Sequence, residues 1–551
     1  MEKRSKGDQE WDFIIAGAGT AGGILAYLLS FDYRVLVIER GDNQLYNPIV
    51  RNAENFIASS FDPRTAEQLL TPPDPGLLGI LERYTKGNTW GGSSSVNYLL
   101  SVIGSPDYWE RIAALSGPEW KFERIVELTH QLENWQGAPS PFRGNGGPIN
   151  VLPLPPSLTP TSIASQIAPI IASLNAIPLV NDYNAAQGAC VSPNQQNFEK
   201  REGGQRIRTQ TGYAFLNRQV VDSKGRGVGC HQKLRILSDS FVSKVLFSCR
   251  KGRKLEAVGV EAIVKGICRR FHAKKVILSA GVIDTPAILQ RSGIGPSGVL
   301  RQAGIPVQLE NSDVGQGLKT HYGPGFVLQS TPDVAFTADI LAFPQQIGGN
   351  SQVRKYETVF VPGNSGITSA TAAILQIPAS PVQGIFSMLN WDLDPVSTGS
   401  VQILNDDPAE EPILRFNLYS DPVDVQVAIA GAQFYKAVYD QANTNGGNFT
   451  FLYPPESAFA DPDTLLTYIK AETSIGYHGV GTASFGKVVD SKLRVLGTRN
   501  LYVADLSVTP IPEDGNTAYA AMFIGLNLAS FLLRDPFPLK KFKDLGDPKR
   551  C

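Results

Sequence analysis

Trp11-Asp12-Phe13-Ile14-Ile15-Ala16 runs straight into Gly17-Ala18-Gly19-Thr20-Ala21-Gly22, and this stretch decides the fold. The first half reads as a short apolar strand. Gly23 to Ser30 then has the apolar density of a helix. Arg34 to Glu39 (RVLVIE) reads as a second buried strand that ends in an acid. Strand, glycine turn, helix, strand and acid, in that order, are the layout of a dinucleotide-binding unit. Gly17 permits the tight turn. Gly19 lets backbone approach a pyrophosphate, and Gly22 lets the helix pack on the strand. The helix N-terminus faces the phosphates with free N–H groups. Glu39 follows Gly22 by 17 residues and can accept hydrogen bonds from both ribose hydroxyls of an adenosine. The candidate binding residues of this unit are Gly17, Gly19, Thr20, Ala21, Gly22, Glu39 and Arg40. The motif alone does not choose between dinucleotides.

The surrounding chain of 551 residues is long enough for two large domains, or for three or four of roughly 150 residues. Apolar residues make up 42% and charged residues 18%, which excludes wholesale disorder. Lys+Arg is 50 against 51 Asp+Glu, so there is no basic surplus for a general nucleic-acid binder. The five cysteines (Cys190, Cys230, Cys249, Cys268, Cys551) are odd in number and hold no C-x-x-C pair. That pattern predicts neither a disulfide framework nor a zinc site. The five histidines are His130, His231, His272, His321 and His478, and no two are close enough for a local metal motif. No metal is expected.

Met1 to Glu10 is polar and lacks the apolar stretch of a signal peptide. The expectation is an intracellular protein, or a secreted one whose leader has been removed. Gly515 to Leu533 carries no charge and touches the length of a membrane span. Its Asn516, Thr517, Asn527 and Ser530 point instead to a buried helix of a large α/β core, so no membrane span is expected.

Further glycine clusters choose the cofactor. Gly87-Asn88-Thr89-Trp90-Gly91-Gly92-Ser93-Ser94-Ser95-Val96-Asn97 is followed by Asp107-Tyr108-Trp109. Gly281-Val282-Ile283-Asp284-Thr285-Pro286 runs on to Ser292-Gly293-Ile294-Gly295. Asp313-Val314-Gly315-Gln316-Gly317-Leu318 precedes His321. Tyr477-His478-Gly479-Val480-Gly481-Thr482 leads to Val489-Asp490, Asn500-Leu501-Tyr502-Val503-Ala504-Asp505 and Gly515-Asn516-Thr517. In order and content, from residue 12 to about 533, these segments resemble the glucose–methanol–choline (GMC) oxidoreductases.

The resemblance implies an α/β fold, α+β overall. It has a Rossmann-like FAD-binding domain and a second, substrate-binding domain on a mainly antiparallel sheet. The expected boundaries are 8–152, 226–318 and 472–536 for the FAD-binding domain and 153–225 and 319–471 for the substrate domain, with 537–551 a tail. Gly91, Gly92 and Ser93 can offer backbone N–H groups to phosphate and flavin with no side chain in the way. By resemblance Trp90, Asn97, Val242 at the adenine, Asp505, Asn516 and Thr517 complete the FAD site. Arg235 to Phe247 reads as two strands around a turn.

The implied activity is oxidation of an alcohol to an aldehyde or ketone. A base removes the hydroxyl proton while hydride passes to flavin N5, and O2 or another acceptor takes the electrons, O2 giving H2O2. Imidazole suits the base role because its pKa lies near neutrality. His478 matches the family's base and Asn516 its partner position. An amide can hold the alkoxide oxygen but takes no proton at neutral pH. His321 matches a family histidine and reads as a capping or buttressing residue. His130, His231 and His272 carry no motif and read as surface residues.

Departures from the pattern have consequences. Gly479 stands where the family most often has Pro, as in the branch that holds plant mandelonitrile lyases. Cyanohydrin cleavage on the same flavin fold is the alternative function, although those lyases usually carry His where Asn516 stands. Val96 stands where some members bond FAD covalently through His, so the FAD is predicted to be non-covalent. Gly317 and Thr320 replace the more usual Asn and Asp, which alters hydrogen bonding before His321. Arg206 resembles the arginine of the G-x-R-x-S region, with Arg208 in place of the serine. Phe326, Phe336, Phe343, Phe360 and Phe386 suggest an apolar or aromatic pocket over the flavin. Oligomeric state is not legible.

Overall fold

The glycine turn joins β1 (Trp11–Ala16) to α1 (Thr20–Leu29), which returns the chain to β2 (Val35–Ile38) as a parallel crossover. The computed structural model describes residues 10–153, 163–186, 188–200, 202–248, 254–330, 340–342, 345–347, 353–362 and 384–539. Phe13 to Ala16 and all of β2 are buried, as both faces of a parallel sheet require. β2 pairs in parallel with β1 on one side (Ile14 opposite Leu36) and with β3 (Leu234–Leu237) on the other.

Three further strands, β4 (Ser240–Ser248), β5 (Leu255–Val264) and β6 (Ile267–Leu278), complete the path β3-β2-β1-β6-β5-β4. β6 changes partners along its length. Its first half pairs antiparallel with β5, and its second half runs parallel to β1, with Val276 opposite Ile14. The β5–β6 turn is Lys265-Gly266, both at positive φ (49° and 79°), the geometry of a type I′ hairpin. Strand Leu501–Val503 extends the parallel part beside β6.

Helix α2 (Gly281–Arg291) leaves the end of β6. The uncharged C-terminal run forms the helix Ala518–Leu533, buried from Tyr519 to Ser530 and packed on α1. A Cβ on its Gly525 would lie 2.9 Å from the Ala21 carbonyl oxygen, so glycine permits this close crossing. Each fully buried Leu, Ile or Phe of this layer contributes about 1.5–3 kcal/mol. Among the described residues no helix is long and apolar enough to cross a membrane.

The second sheet is mostly antiparallel. β7 (Tyr322–Ser330), β8 (Val353–Pro362) and β9 (Ile385–Asp392) lie in the order β7-β9-β8, and both pairings are antiparallel. Helix α3 (Pro422–Thr444) covers this sheet. Asp421 caps it by accepting from the Val423 N–H, and Pro422 occupies its first turn.

Some sequence expectations need correction. His231 is 4% exposed: its Nδ1 lies 2.7 Å from Ser30 Oγ and its ring packs between Tyr27 and Phe31. The aromatic stack outweighs the polarity of the ring. Cys230 takes part in a disulfide, whereas Cys190 and Cys268 are free thiols. Sequence spacing carries no signal for a single bridge. Phe326 and Phe386 are core residues beneath the second sheet. Phe336, Phe343 and the Phe360 side chain lie outside the described residues.

Candidate active site

One cavity of about 1050 Å³ lies where the glycine turn, residues 80–100, residues 279–284, residues 471–479 and residues 505–518 meet. At the glycine turn each residue has its own geometric reason. Gly17 has φ +101°, and a Cβ there would lie 2.3 Å from Ser279 O. A Cβ on Gly22 would lie 2.1 Å from Gly17 O, which would push α1 off the strand. A Cβ on Gly19 meets no protein atom closer than 3.9 Å. Gly19 instead lines the cavity, with Thr20 and Ala21. Glu39 is buried at the end of β2. It accepts from the Ala18 N–H at 2.6 Å and the Gly41 N–H at 2.9 Å. Each carboxylate oxygen keeps lone-pair capacity for a ribose hydroxyl. Arg40 lines the same wall and pairs with Asp284 at 3.3 Å.

Gly92 (φ +53°), Ser93, Asn97 and Val242 also line the cavity. Gly22, Trp90 and Gly91 stand behind its wall: Trp90 is 1% exposed and donates Nε1–H to Ser238 Oγ at 3.0 Å. Asp505 ties the first turn of α2 to the loop before the C-terminal helix. Its Oδ2 accepts from the Gly281 N–H (3.0 Å) and Thr285 Oγ1 (2.6 Å), and its Oδ1 from the Ser507 N–H (2.9 Å). Thr517 is the N-cap residue of that helix but makes no side-chain cap bond. The residues therefore form a cradle that suits FAD: bare backbone at Gly19 and Gly92, an acid at Glu39 and a helix N-terminus at Thr20.

Arg208, read from sequence only as a departure, has a definite task. It is fully buried and donates Nη1–H to both Asn97 O and Asn97 Oδ1, each at 2.7 Å, and Nε–H to Val50 O at 3.1 Å. Burial pushes its guanidinium down to about 9. Arg206, the motif-matching arginine, is half-exposed beside Glu54.

His478 sits in the wall near Asn516. Its backbone N–H donates to Thr320 Oγ1 at 3.1 Å, so the unusual Thr320 supplies the local hydrogen bond. The next N–H, of Gly479, donates to Tyr84 Oη at 3.0 Å, and Tyr84 Oη donates to Tyr477 O at 3.2 Å. A Cβ on Gly479 would lie 2.6 Å from Tyr84 Oη, which explains glycine at this point. The imidazole stands edge-on to Trp391 at 5.8 Å and to His321 at 5.0 Å.

The proton positions follow from the partners. Asn516 Nδ2 lies 3.2 Å from His478 Nε2, and an amide nitrogen only donates. Nε2 therefore accepts and carries the lone pair. His478 Nδ1 lies 2.9 Å from His321 Nδ1, so Nδ1 of His478 carries the proton and donates it to His321. Burial pushes His478 down to about 3, and burial with the neighbouring His478 holds His321 well below the usual imidazole range. Both rings are neutral. His321 is fully buried and touches the candidate base directly.

The Glu357 carboxyl joins this group, within 4.8 Å of ring nitrogens of both histidines. No sequence motif marks it. Tyr84, Tyr98, Leu389, Trp391 and Tyr477 give the cavity its apolar lining beyond the histidine.

The chain is 28% identical to an alcohol dehydrogenase [acceptor] of Pseudomonas putida, over 95% of this chain and 96% of that one. It is 27% identical to a 5-(hydroxymethyl)furfural oxidase of Methylovorus sp. (strain MP688), over 96% and 99%. In fold it is similar to the crystal structure of pyridoxine 4-oxidase from Mesorbium loti, with a TM-score of 0.82, 23% identity and coverage of 95% and 99%. Residues 12–323 and 395–525 match the N- and C-terminal family models described as GMC oxidoreductase. The glycine cradle and the one cavity shared with His478 and Asn516 accord with that match, and the chain belongs to the GMC oxidoreductases, a family of FAD-dependent enzymes.

Proposed function

We propose that this enzyme oxidises an alcohol to an aldehyde or ketone, with His478 as the base. One observation carries the reading: His478 Nε2 and Asn516 Nδ2 stand 3.2 Å apart on the wall of the cavity that the glycine turns also line. A hydroxyl oxygen held by the Asn516 amide is within reach of the His478 lone pair. His478 takes the hydroxyl proton at Nε2, and its Nδ1–H stays fixed on His321 Nδ1. Asn516 supports the developing alkoxide by hydrogen bonding. FAD, when bound, supplies the acceptor for the hydride that leaves the carbinol carbon.

In this reading residues 8–152, 226–318 and 472–536 hold the FAD and 153–225 and 319–471 enclose the substrate. Gly17, Gly19, Thr20, Ala21, Gly92, Ser93 and Glu39 hold the nucleotide end, while Asn97, Asp505, Asn516 and Thr517 hold the flavin end. Val96 lines the cavity and offers no nucleophile, which supports non-covalent FAD. Tyr84, Trp391 and Tyr477 favour an apolar or aromatic alcohol. The electrons pass finally to O2, giving H2O2, or to another acceptor. The test is His478→Ala: the variant should keep its FAD and lose alcohol-driven reduction of it. A variant reduced at the normal rate would overturn the assignment.

A further inference from the structure

Glu357 lies in the middle of β8, directly opposite Trp391 of β9, and its side chain is fully buried. Its carboxyl packs against the Asn516 amide and stands within 4.8 Å of ring nitrogens of His321 and His478. Neither Glu357 oxygen meets a donor in hydrogen-bond geometry among the described residues, although the Asn516 amide is close enough to favour its ionised form. Asn516 Oδ1 also has no donor, so only its Nδ2 contacts fix the amide plane.

We propose that Glu357 is a positioning residue: it accepts one Nδ2–H of Asn516 and thereby aims the other at the substrate oxygen beside His478 Nε2. The inference rests on the base and amide roles given above to His478 and Asn516. Two consequences follow from placement alone. First, an amide nitrogen has two hydrogens: one goes to Glu357, and the other, which lies on His478 Nε2 before substrate binds, turns to the substrate oxygen and frees that lone pair for the hydroxyl proton. Second, His478 becomes a cation as it takes the alcohol proton, in surroundings that disfavour cations. Glu357 is the carboxyl beside it, and its ionised form favours that cation.

The groups facing Glu357 are few. They are His321, His478, the Asn516 amide and the Tyr183 phenol. Asp392 follows Trp391 on the neighbouring strand, and the Glu513 backbone meets His321. Lys355, two residues away on β8, is neutralised by Asp514 at 2.8 Å. Burial pushes the Glu357 carboxyl up to about 8, so the rate should rise as pH climbs through that region and the carboxylate forms.

The test uses the FAD-loaded enzyme, anaerobic single-turnover reduction by an alcohol, and pH 6 to 9.5. Glu357→Leu should slow reduction about 10- to 100-fold with little change in the alcohol concentration that half-saturates it. In an Asn516→Ala background the same change should cost little more, because the effect passes through the amide. Glu357→Gln keeps an acceptor for the amide and should retain most of the rate while losing the rise near pH 8. Glu357→Leu at the wild-type rate, or Glu357→Gln with the wild-type pH profile, would overturn the proposal. Should Glu357→Leu fold poorly, the Glu357→Gln profile alone decides. Full reduction of His478→Ala would overturn the proposed function itself, whatever the Glu357 variants show.

Discussion

At the scale of single residues, the site works by fixing protons rather than by accumulating charge. His478 is a neutral imidazole whose lone pair is placed by two hydrogen bonds, one at each ring nitrogen. Because burial holds it at about 3, acid should not protonate it in the ordinary imidazole range. A base must be unprotonated to act. In Glu357→Gln, which lacks the rise near pH 8, the rate of the reductive half-reaction should therefore stay level from pH 7.5 down to about 5, and a loss with a midpoint near 6.5 would show a solvated imidazole. His478→Ala should lower that rate by about 10²–10⁴-fold, read by stopped-flow absorbance. Gly479 gives a structural counterpart. Gly479→Pro removes the N–H that Tyr84 accepts and sets ring atoms against Tyr84 Oη, so it should slow turnover although Pro is the commoner family residue. An active Gly479→Pro enzyme would show that Tyr84 does not hold this turn.

Elements explain why some of this was legible in the sequence. β1, the glycine turn, α1 and β2 are contiguous, so their chemistry and spacing are on one line of text. The same is true of the uncharged run that became the C-terminal helix. Arg208 and Tyr84 were not legible as site residues, because their partners lie 111 and 395 positions away. Glu357 looks like any acid in a strand until β8 and β9 bring it behind Trp391. His231 shows the same limit: aromatic packing buried a residue whose sequence neighbours are polar. Burial holds its pKa at about 4. The unfolded ring, near 6.5, then binds more protons than the folded one, so stability falls as pH drops from about 6.5 towards 4. The slope for this group alone approaches 1.4 kcal/mol per pH unit at most. His231→Phe should weaken the acid sensitivity of the thermal midpoint; an unchanged dependence on pH would assign it to other groups.

At the scale of the whole molecule, a parallel layer brings the glycine turns to one cavity, and the antiparallel sheet brings Trp391 to its far wall, with Glu357 opposite it on the neighbouring strand. Arg208 links the strand region 206–208 to Asn97 on that cavity. Arg208→Met keeps the bulk and removes the donors, so purified protein should carry less flavin per chain, read as the ratio of visible to ultraviolet absorbance. Undiminished flavin would show that Asn97 needs no such anchor. Gly19→Val should abolish flavin binding, since its side chain would occupy the cradle.

The central claim is that the cavity joins a flavin site to an alcohol-deprotonating base. It is tested most directly by anaerobic visible spectra of the FAD-loaded enzyme mixed with a panel of primary and secondary alcohols, aromatic members included. The account predicts bleaching of the oxidised flavin band by one alcohol class, with colour returning when an acceptor is admitted. A flavin that stays oxidised with every alcohol, while the same alcohols are shown to bind, would contradict it.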